Sequence, residues 1–424
     1  MFANRIYRIR KLPATSPRHS SQLSSLYPFT KLRAFPFQLS PEDAIVQMAP
    51  HASMVCLGKE LLGSIGARFL PGFGFEPLRP VRITPVYFPG WIIDAEVSAE
   101  VSYENVQRTT SGIIHDSYLP GSDFRVLSWV SYFSRQLNID PVPFTKDLEV
   151  QHGVEVSCLP YTISPFSALD MAHSMSYRDA IIGDDLRVSP KSITTNLLAA
   201  YPVLFPLYLA QYESPSPGEQ KMVTLFIEAF EHKGRIRAER PDFGSDLREM
   251  LPMAPQAFVD FTHALDDVDV QILRGMPTPF FSLAGFLTPE RRAIVPVAAD
   301  WLNNMIVRHD AAQTLVEESG TITPDDDPRI RPFSREERSK NMEWMYLGGE
   351  IEMMRRVITS MKETHEQGRI LVVGSKKPFP QDVFESTVNN LQSKIEELET
   401  KRSETTPAWW KEWLEMSRAT SNKN

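Results

Sequence analysis

From residue 80 to 103 the chain reads PVRITPVYFPGWIIDAEVSAEVSY, and beyond Trp91 it alternates. Ile93, Ala95, Val97, Ala99, Val101 and Tyr103 fall on one side; Asp94, Glu96, Ser98, Glu100 and Ser102 fall on the other. A period of two predicts a half-buried antiparallel strand with a solvated polar face. Pro85 and Pro89 precede the alternation and favour an edge, a bend or a bulge. Residues 109–115 are the candidate partner strand. A second pair is predicted at 197–212 and 222–232, joined by Ser214-Pro215-Ser216-Pro217-Gly218. Residues 193–210 carry no charge and are barely long enough to cross a bilayer. Pro202 and Pro206 would break such a helix, so a buried strand is the expectation.

The two apolar segments share a pattern. Pro-Val-x-Phe-Pro-x-aromatic occurs at 85–91 and again at 202–208. Two related sheet halves would explain it; coincidence in a chain with 34 prolines is the alternative.

Helical signals flank the strands. Ser40-Pro41-Glu42-Asp43 combines a capping serine, a proline suited to the first turn and acids at the positive end of the helix dipole. It predicts one helix to about residue 69, stopped by Pro71-Gly72-Phe73-Gly74. Further helices are predicted at 122–137, 166–180, 257–273, 288–318 and, from the capping box Ser334-Arg335-Glu336-Glu337, at 334–366. Phe384, Val388, Leu391, Ile395 and Leu398 form a two-heptad stripe, suited equally to packing on the body of the protein and to dimerisation. Trp409, Trp410 and Trp413 then crowd the tail, either to dock in a groove or to present a partner-binding surface.

Charge changes this picture at the N-terminus. The first 41 residues contain no Asp or Glu, where the average composition would place about five. Arg5, Arg8, Arg10, Lys11, Arg18, Lys31 and Arg33 interleave there with Phe2, Ile6, Tyr7, Ile9 and Leu12. A cationic, acid-free, amphipathic segment reads as a mitochondrial presequence, removed near Arg33 to Pro36. A basic arm for an anionic surface is the alternative. Of 45 Lys plus Arg, the seven in residues 1–35 leave 38 against 53 Asp plus Glu, a net charge near −15 against −8 for the whole chain. Such an acidic body argues against general nucleic-acid binding. The two cysteines, Cys56 and Cys158, make neither a Cys-rich zinc site nor a disulfide framework. The expected location is the matrix or the matrix face of the inner membrane.

The residues therefore divide into a presequence at 1–35, an α+β domain at 36–241, a helical part at 242–320, a solvated linker at 321–333 and a helical extension at 334–424. Catalytic motifs do not emerge. Gly58-Lys59-Glu60 lacks the remainder of a phosphate-binding loop, Gly72-x-Gly74 follows a helix rather than a strand, and no Gly-x-Ser-x-Gly occurs. The nine histidines show no His-Glu-x-x-His spacing. Asp94 and Glu96 share a strand face and could hold a proton or a cation, although a solvated face is the commoner outcome. His115 and Asp116 end the partner strand, where the pleat would point them apart. Trp91 reads as a core anchor more readily than as a ligand platform. Together Trp91, Asp94, Glu96 and His115 are the candidate binding residues.

The stretch Phe35-Pro36-Phe37-Gln38-Leu39-Ser40-Pro41-Glu42-Asp43-Ala44, followed by Pro85-Val86-Tyr87-Phe88-Pro89-Gly90-Trp91-Ile92-Ile93-Asp94-Ala95, resembles the non-ribbon domain of bacterial zinc-ribbon-containing proteins of unknown function. Leu119-Pro120-Gly121-Ser122, Leu159-Pro160-Tyr161 and the strand pair running to Arg240-Pro241 resemble its later landmarks. The resemblance covers about 35–241, and it brings no known activity. This chain has no Cys-x-x-Cys, so the ribbon is not carried over. The resulting expectation is a non-catalytic mitochondrial accessory, assembly or scaffold factor. It would lack a cofactor and meet protein partners through its C-terminal helices. The alternatives are a small-molecule or catalytic site near Trp91 and His115, and peripheral membrane contact through the tail tryptophans.

Overall fold

The computed structural model describes residues 30–56, 60–103, 106–122, 139–166, 186–213, 222–238, 327–366 and 381–421, with Leu127, Tyr132 and His173 between them. The strands are β1 (Arg33–Ala34), β2 (Arg82–Tyr103), β3 (Val106–Pro120), β4 (Val142–Pro143), β5 (Val150–Gln151), β6 (Val154–Glu155), β7 (Ser157–Cys158), β8 (Leu186–Val188), β9 (Thr194–Glu213), β10 (Met222–Glu228) and β11 (Ile236–Ala238). The helices are α1 (Pro41–Val55), α2 (Leu61–Phe69), α3 (Arg335–Glu366), α4 (Gln381–Glu404) and α5 (Ala408–Ser421). The architecture is α+β, with one mixed sheet, an N-terminal helix on it and helices at the C-terminal end. The helices expected at 122–137, 166–180, 257–273 and 288–318 lie almost wholly outside the described residues.

Two antiparallel hairpins, β2–β3 and β9–β10, meet through β2 and β9, and β11 extends the outer edge of β10. The repeated proline motif lies at that junction. Phe88 pairs with Phe205, Trp91 with Pro202 and Pro85 with Tyr208, so the two copies face each other about the Phe88–Phe205 pair. The register also explains how four prolines survive inside a sheet. Tyr87 opposes Pro206 and Pro89 opposes Leu204, so all four prolines sit in the phase whose backbone groups point away from the partner strand. Carbonyls in that phase are used elsewhere: Pro89 accepts from the Gly121 N–H and Pro206 from the Ala229 N–H. On the outer side of β9, Pro202 falls between the Ile330 bridge at Ala200 and β1 at Val203. Pro206 falls between β1 and β10.

β9 is buried at every position from 197 to 212. Its uninterrupted apolar run belongs to a strand covered on both faces, and no helix among the described residues is long and apolar enough to cross a membrane. Ser40 caps α1 through the Asp43 N–H at 3.2 Å, and Ala44, Met48, Ala49 and Ala52 of that helix pack on the face that includes Tyr87 and Trp91. The single helix expected from Ser40 to residue 69 is instead two, with Glu60 in the left-handed region at φ 56° before α2.

The opposite face, with Phe88, Phe205 and Tyr201, is covered by Phe333, by Trp344 and Met345 of α3 and by Trp409 and Trp410 of α5. The heptad stripe is also spent inside the molecule: Phe384, Val388, Ile395 and Leu398 pack on Leu347, Ile351 and Ile358. Three segment boundaries differ from the expectation. Leu32 and Ala34 are buried, and β1 adds to β9, so the fold takes in residues placed in the presequence. Residues 327–333, expected as solvated linker, bury Ile330 and Phe333 against the sheet. The C-terminal helices are not an appendage; they complete the core on that face.

Candidate functional site

The β2–β3 ladder runs regularly through Ile93–Ser117 and then resumes at Ala95–Ile114. Two residues, His115 and Asp116, therefore oppose the single residue Asp94, which is a β-bulge. Asp116 takes φ 56°, a left-handed conformation that Asp tolerates better than most residues. A regular pleat would send these neighbours to opposite faces; the bulge sends both to Asp94. His115 Nδ1 lies 2.8 Å from Asp94 Oδ1, and Nε2 lies 3.0 Å from Asp116 Oδ2. The Asp116 N–H donates to Asp94 Oδ1 at 3.1 Å. The expected divergence of His115 and Asp116 is thus overturned by one extra residue in the ladder.

Arg338, from the first turn of α3, closes the group. Its Nε and Nη2 each donate to Asp94 at 2.8 Å, a bidentate pair, and Nη2 also pairs with Asp116. The guanidinium lies 4.8 Å from the Phe333 ring and 5.2 Å from that of Tyr201. Ser334 caps this helix through the Glu337 N–H, as the sequence motif implies, and so sets the turn that carries Arg338.

Asp94 is fully buried. Burial alone would raise its pKa, yet the Arg338 charge and the His115 contact hold it well below the ordinary carboxylate range. Asp116 is depressed in the same way, burial being outweighed by His115 and Arg338. His115 loses basicity to burial but gains more from Asp116 and Asp94, so its pKa is raised. Two carboxylates thus face the Arg338 guanidinium and an imidazole whose protonated form they favour.

The solvated acidic face expected for Asp94 and Glu96 is not found. Glu96 is 2% exposed; it accepts from Asn196 Nδ2 at 3.1 Å and pairs with Arg402 of α4. Arg402 reaches it over Gly348, where a Cβ would stand 2.6 Å from the guanidinium carbon, and it stacks 3.9 Å from the Trp344 ring. The alternation along β2 is real, but α3 and α4 cover the polar side.

Of the candidate residues, the fold brings Asp94 and His115 together and places Glu96 beside them with its own partner. Trp91 is on the other face, its ring 4.8 Å from that of Tyr161 at a tilt of 55°, and it donates to the Ile163 carbonyl at 2.8 Å. Trp409 and Trp410 are buried against the sheet, and Trp413 stacks at 4.5 Å on Trp410 beneath the Arg329 guanidinium. The residues missed from sequence are Arg338 and Arg402. Arg338 had a readable signal: with Asn341, Met345 and Gly348 it continues the buried stripe of α3, an abnormal place for an unpaired cation.

Asp94, His115 and Asp116 offer ligand atoms within 4.8 Å of one another, a spacing that suits a metal ion. The guanidinium already supplies the positive charge there and occupies both carboxylates. A general base needs a free lone pair directed at a substrate, and both ring nitrogens of His115 face carboxylates. The group is built as an ion-pair clamp between hairpin and helix. The chain matches no family model, and no curated protein or solved structure is significantly similar to it.

Proposed function

We propose that this protein is a non-catalytic mitochondrial accessory or scaffold factor that docks a protein partner through an exposed apolar loop. The observation carrying this reading is the segment from Phe69 to Phe75, FLPGFGF, uncharged and exposed at every position. Phe73 is 77% exposed, and Leu62 and Val81 on either side of the segment are 80% and 68% exposed. Concentrated apolar surface of this kind marks an interaction site in a folded protein. Gly72 and Gly74, both at positive φ, give the turn that holds Phe73 outward. The pairing of Asp94, His115 and Asp116 with one another and with Arg338 supports the non-catalytic part. The mitochondrial part rests on the acid-free N-terminus. The proposed kinship with the non-ribbon domain of zinc-ribbon proteins is compatible with it, since that domain brings no activity.

The partner surface differs from the one expected. Trp409, Trp410 and the heptad stripe are occupied within the molecule, so neither the tail nor α4 offers a ready docking face. The burial of Trp409 and Trp410 likewise withdraws support from membrane contact through the tail. The test is native co-purification from mitochondria with the full chain and a Phe73→Asp variant. The expected result is a partner captured by the wild type and lost by the variant, with the melting temperature unchanged. Retention of every partner by the variant, or absence of the protein from the mitochondrial fraction, overturns the reading.

A further inference from the structure

Buried polar atoms in folded proteins nearly always have partners, and each orphan loses its hydration without replacement. On the α3-covered face, orphans from β3, β10 and β11 gather around Tyr132. They are the hydroxyls of Tyr118 and Tyr132, Oε1 of Glu228, and Nε and Nη2 of Arg237, none of which has a hydrogen-bond partner among the described residues. Tyr132 is fully buried, and Glu228 is 2% exposed.

The register explains the assembly. Phe226 opposes Arg237 across β10–β11, so Glu228 and Arg237 project on the same face as Phe226. Tyr118 leans over Gly90, where a Cβ would stand 2.6 Å from its ring, and meets Tyr132 edge-on at 5.9 Å. Phe205 lies beneath both rings, 5.5 Å from Tyr118 and 6.0 Å from Tyr132. Arg235 belongs to the same group but is committed: Nε donates to Glu228 Oε2 at 2.5 Å and Nη2 to the Tyr132 carbonyl at 3.0 Å. The charges of Glu228, Arg235 and Arg237 and the phenol of Tyr132 all act on one another.

The unused atoms specify a ligand. Nε and Nη2 are two parallel donors on one edge of a guanidinium, the fork that matches a carboxylate. The Tyr132 phenol adds a donor within reach of the Arg237 charge, Tyr118 adds a second next to Tyr132, and Glu228 Oε1 is left to meet a hydroxyl or amino group. Burial pushes Glu228 up to about 7 despite the arginines, so near neutrality the group carries a net positive charge between one and two. A planar carboxylate matches the fork edge to edge, whereas a tetrahedral phosphate would turn its remaining oxygens toward the Glu228 acceptor. We propose that Tyr118, Tyr132, Glu228 and Arg237 form an internal site for a small carboxylate bearing a hydroxyl or amino group. The carboxylate sits on the Arg237 fork and its substituent on Glu228. This site lies apart from both the ion-pair clamp and the exposed loop, so it does not depend on the partner-docking reading.

The experiment titrates the full-length protein with L-lactate, acetate and inorganic phosphate, read by calorimetry. Crystals soaked in L-lactate are examined for density at the four side chains. Saturable lactate binding is expected, with acetate at least several-fold weaker for want of the substituent and phosphate without saturation. Tyr132→Phe, which removes one hydroxyl and keeps the ring, is expected to weaken lactate about 5- to 10-fold, in line with one lost hydrogen bond. Arg237→Met is expected to abolish binding. If Arg237→Met does not fold, the Tyr132→Phe result stands as the test. Density for ordered water only, lactate binding unchanged in Tyr132→Phe, or phosphate binding as tightly as lactate overturns the proposal.

Discussion

Replacing Arg338 by Met tests whether the clamp holds α3 to the hairpin. The substitution keeps a long apolar side chain but removes two charge-assisted hydrogen bonds to Asp94 and the ion pair to Asp116. Arg338 is 7% exposed and Asp94 is inaccessible, so water cannot replace what is lost. Breaking a buried pair by removing one partner costs about 3–5 kcal/mol, a large part of the roughly 5–15 kcal/mol that stabilises a domain. His115 stays in place and compensates in part when protonated. The pH dependence supplies a second readout. In the wild type the depressed Asp94 and Asp116 contribute stability above their unfolded pKa near 3.9, lost only as pH falls through their lower folded values. His115, whose pKa is raised, contributes fully below about 6.5 and loses that contribution as pH rises through its folded value. In the variant, Asp94 is buried without its guanidinium, and its folded pKa moves above the unfolded one. Stability is then lost as pH rises. Urea unfolding followed by circular dichroism at about pH 5 and about pH 8 is therefore expected to show the larger deficit at the higher pH. A double variant, Asp94→Asn with Arg338→Met, should recover much of the loss, because no buried charge remains uncompensated. A deficit below about 1 kcal/mol at both pH values, or one independent of pH, refutes the clamp.

Gly90→Ala places a Cβ 2.6 Å from the Tyr118 ring and 2.8 Å from that of Phe205, and overpacking there is expected to cost about 1–3 kcal/mol in thermal or urea unfolding. Trp410→Ala should destabilise the protein by about 3–5 kcal/mol, since the side chain is only 2% exposed; a variant that melts normally and loses only a partner would contradict its place in the core. Because Glu228 is pushed up to about 7, the wild type should lose roughly 3 kcal/mol of stability as pH climbs from about 4.5 to about 7, and Glu228→Gln should flatten that part of the profile. N-terminal sequencing of the protein recovered from mitochondria should find the processed end before Lys31. A cut between Arg33 and Pro36 would remove buried Leu32 and divide β1.

What was legible in advance was legible for local reasons. The alternation after Trp91 gave the long strand, the prolines at 202 and 206 favoured a buried strand over a membrane helix at 193–210, and the Ser40 and Ser334 caps placed two helix starts. The paired Pro-Val-x-Phe-Pro motifs pointed to related strands, and these turned out to be each other's neighbours. The candidate site was only half legible. Asp94 and His115 were singled out, but the pairing of His115 with Asp116 depended on a bulge that alternation cannot encode. The choice of a solvated face for Asp94 and Glu96 failed because a strand pattern reports that two faces differ, not what covers the polar one.

The sequence by itself determined the strands and the caps, because pleat alternation and helix-end hydrogen bonds involve residues a few positions apart. It also determined the charge asymmetry of the N-terminus. Only the tertiary structure decided that Asp94 is an anchor and not a surface acid, since its guanidinium partner is 244 residues away. The same holds for the fate of Trp409, Trp410 and the heptad stripe, and for the gathering of Tyr118, Tyr132, Glu228 and Arg237. An apolar or charged side chain carries the same local signal whether it will face a partner, water or its own core. Which of these it meets is set by long-range packing, where the cost of burying an unpaired charge selects the partner.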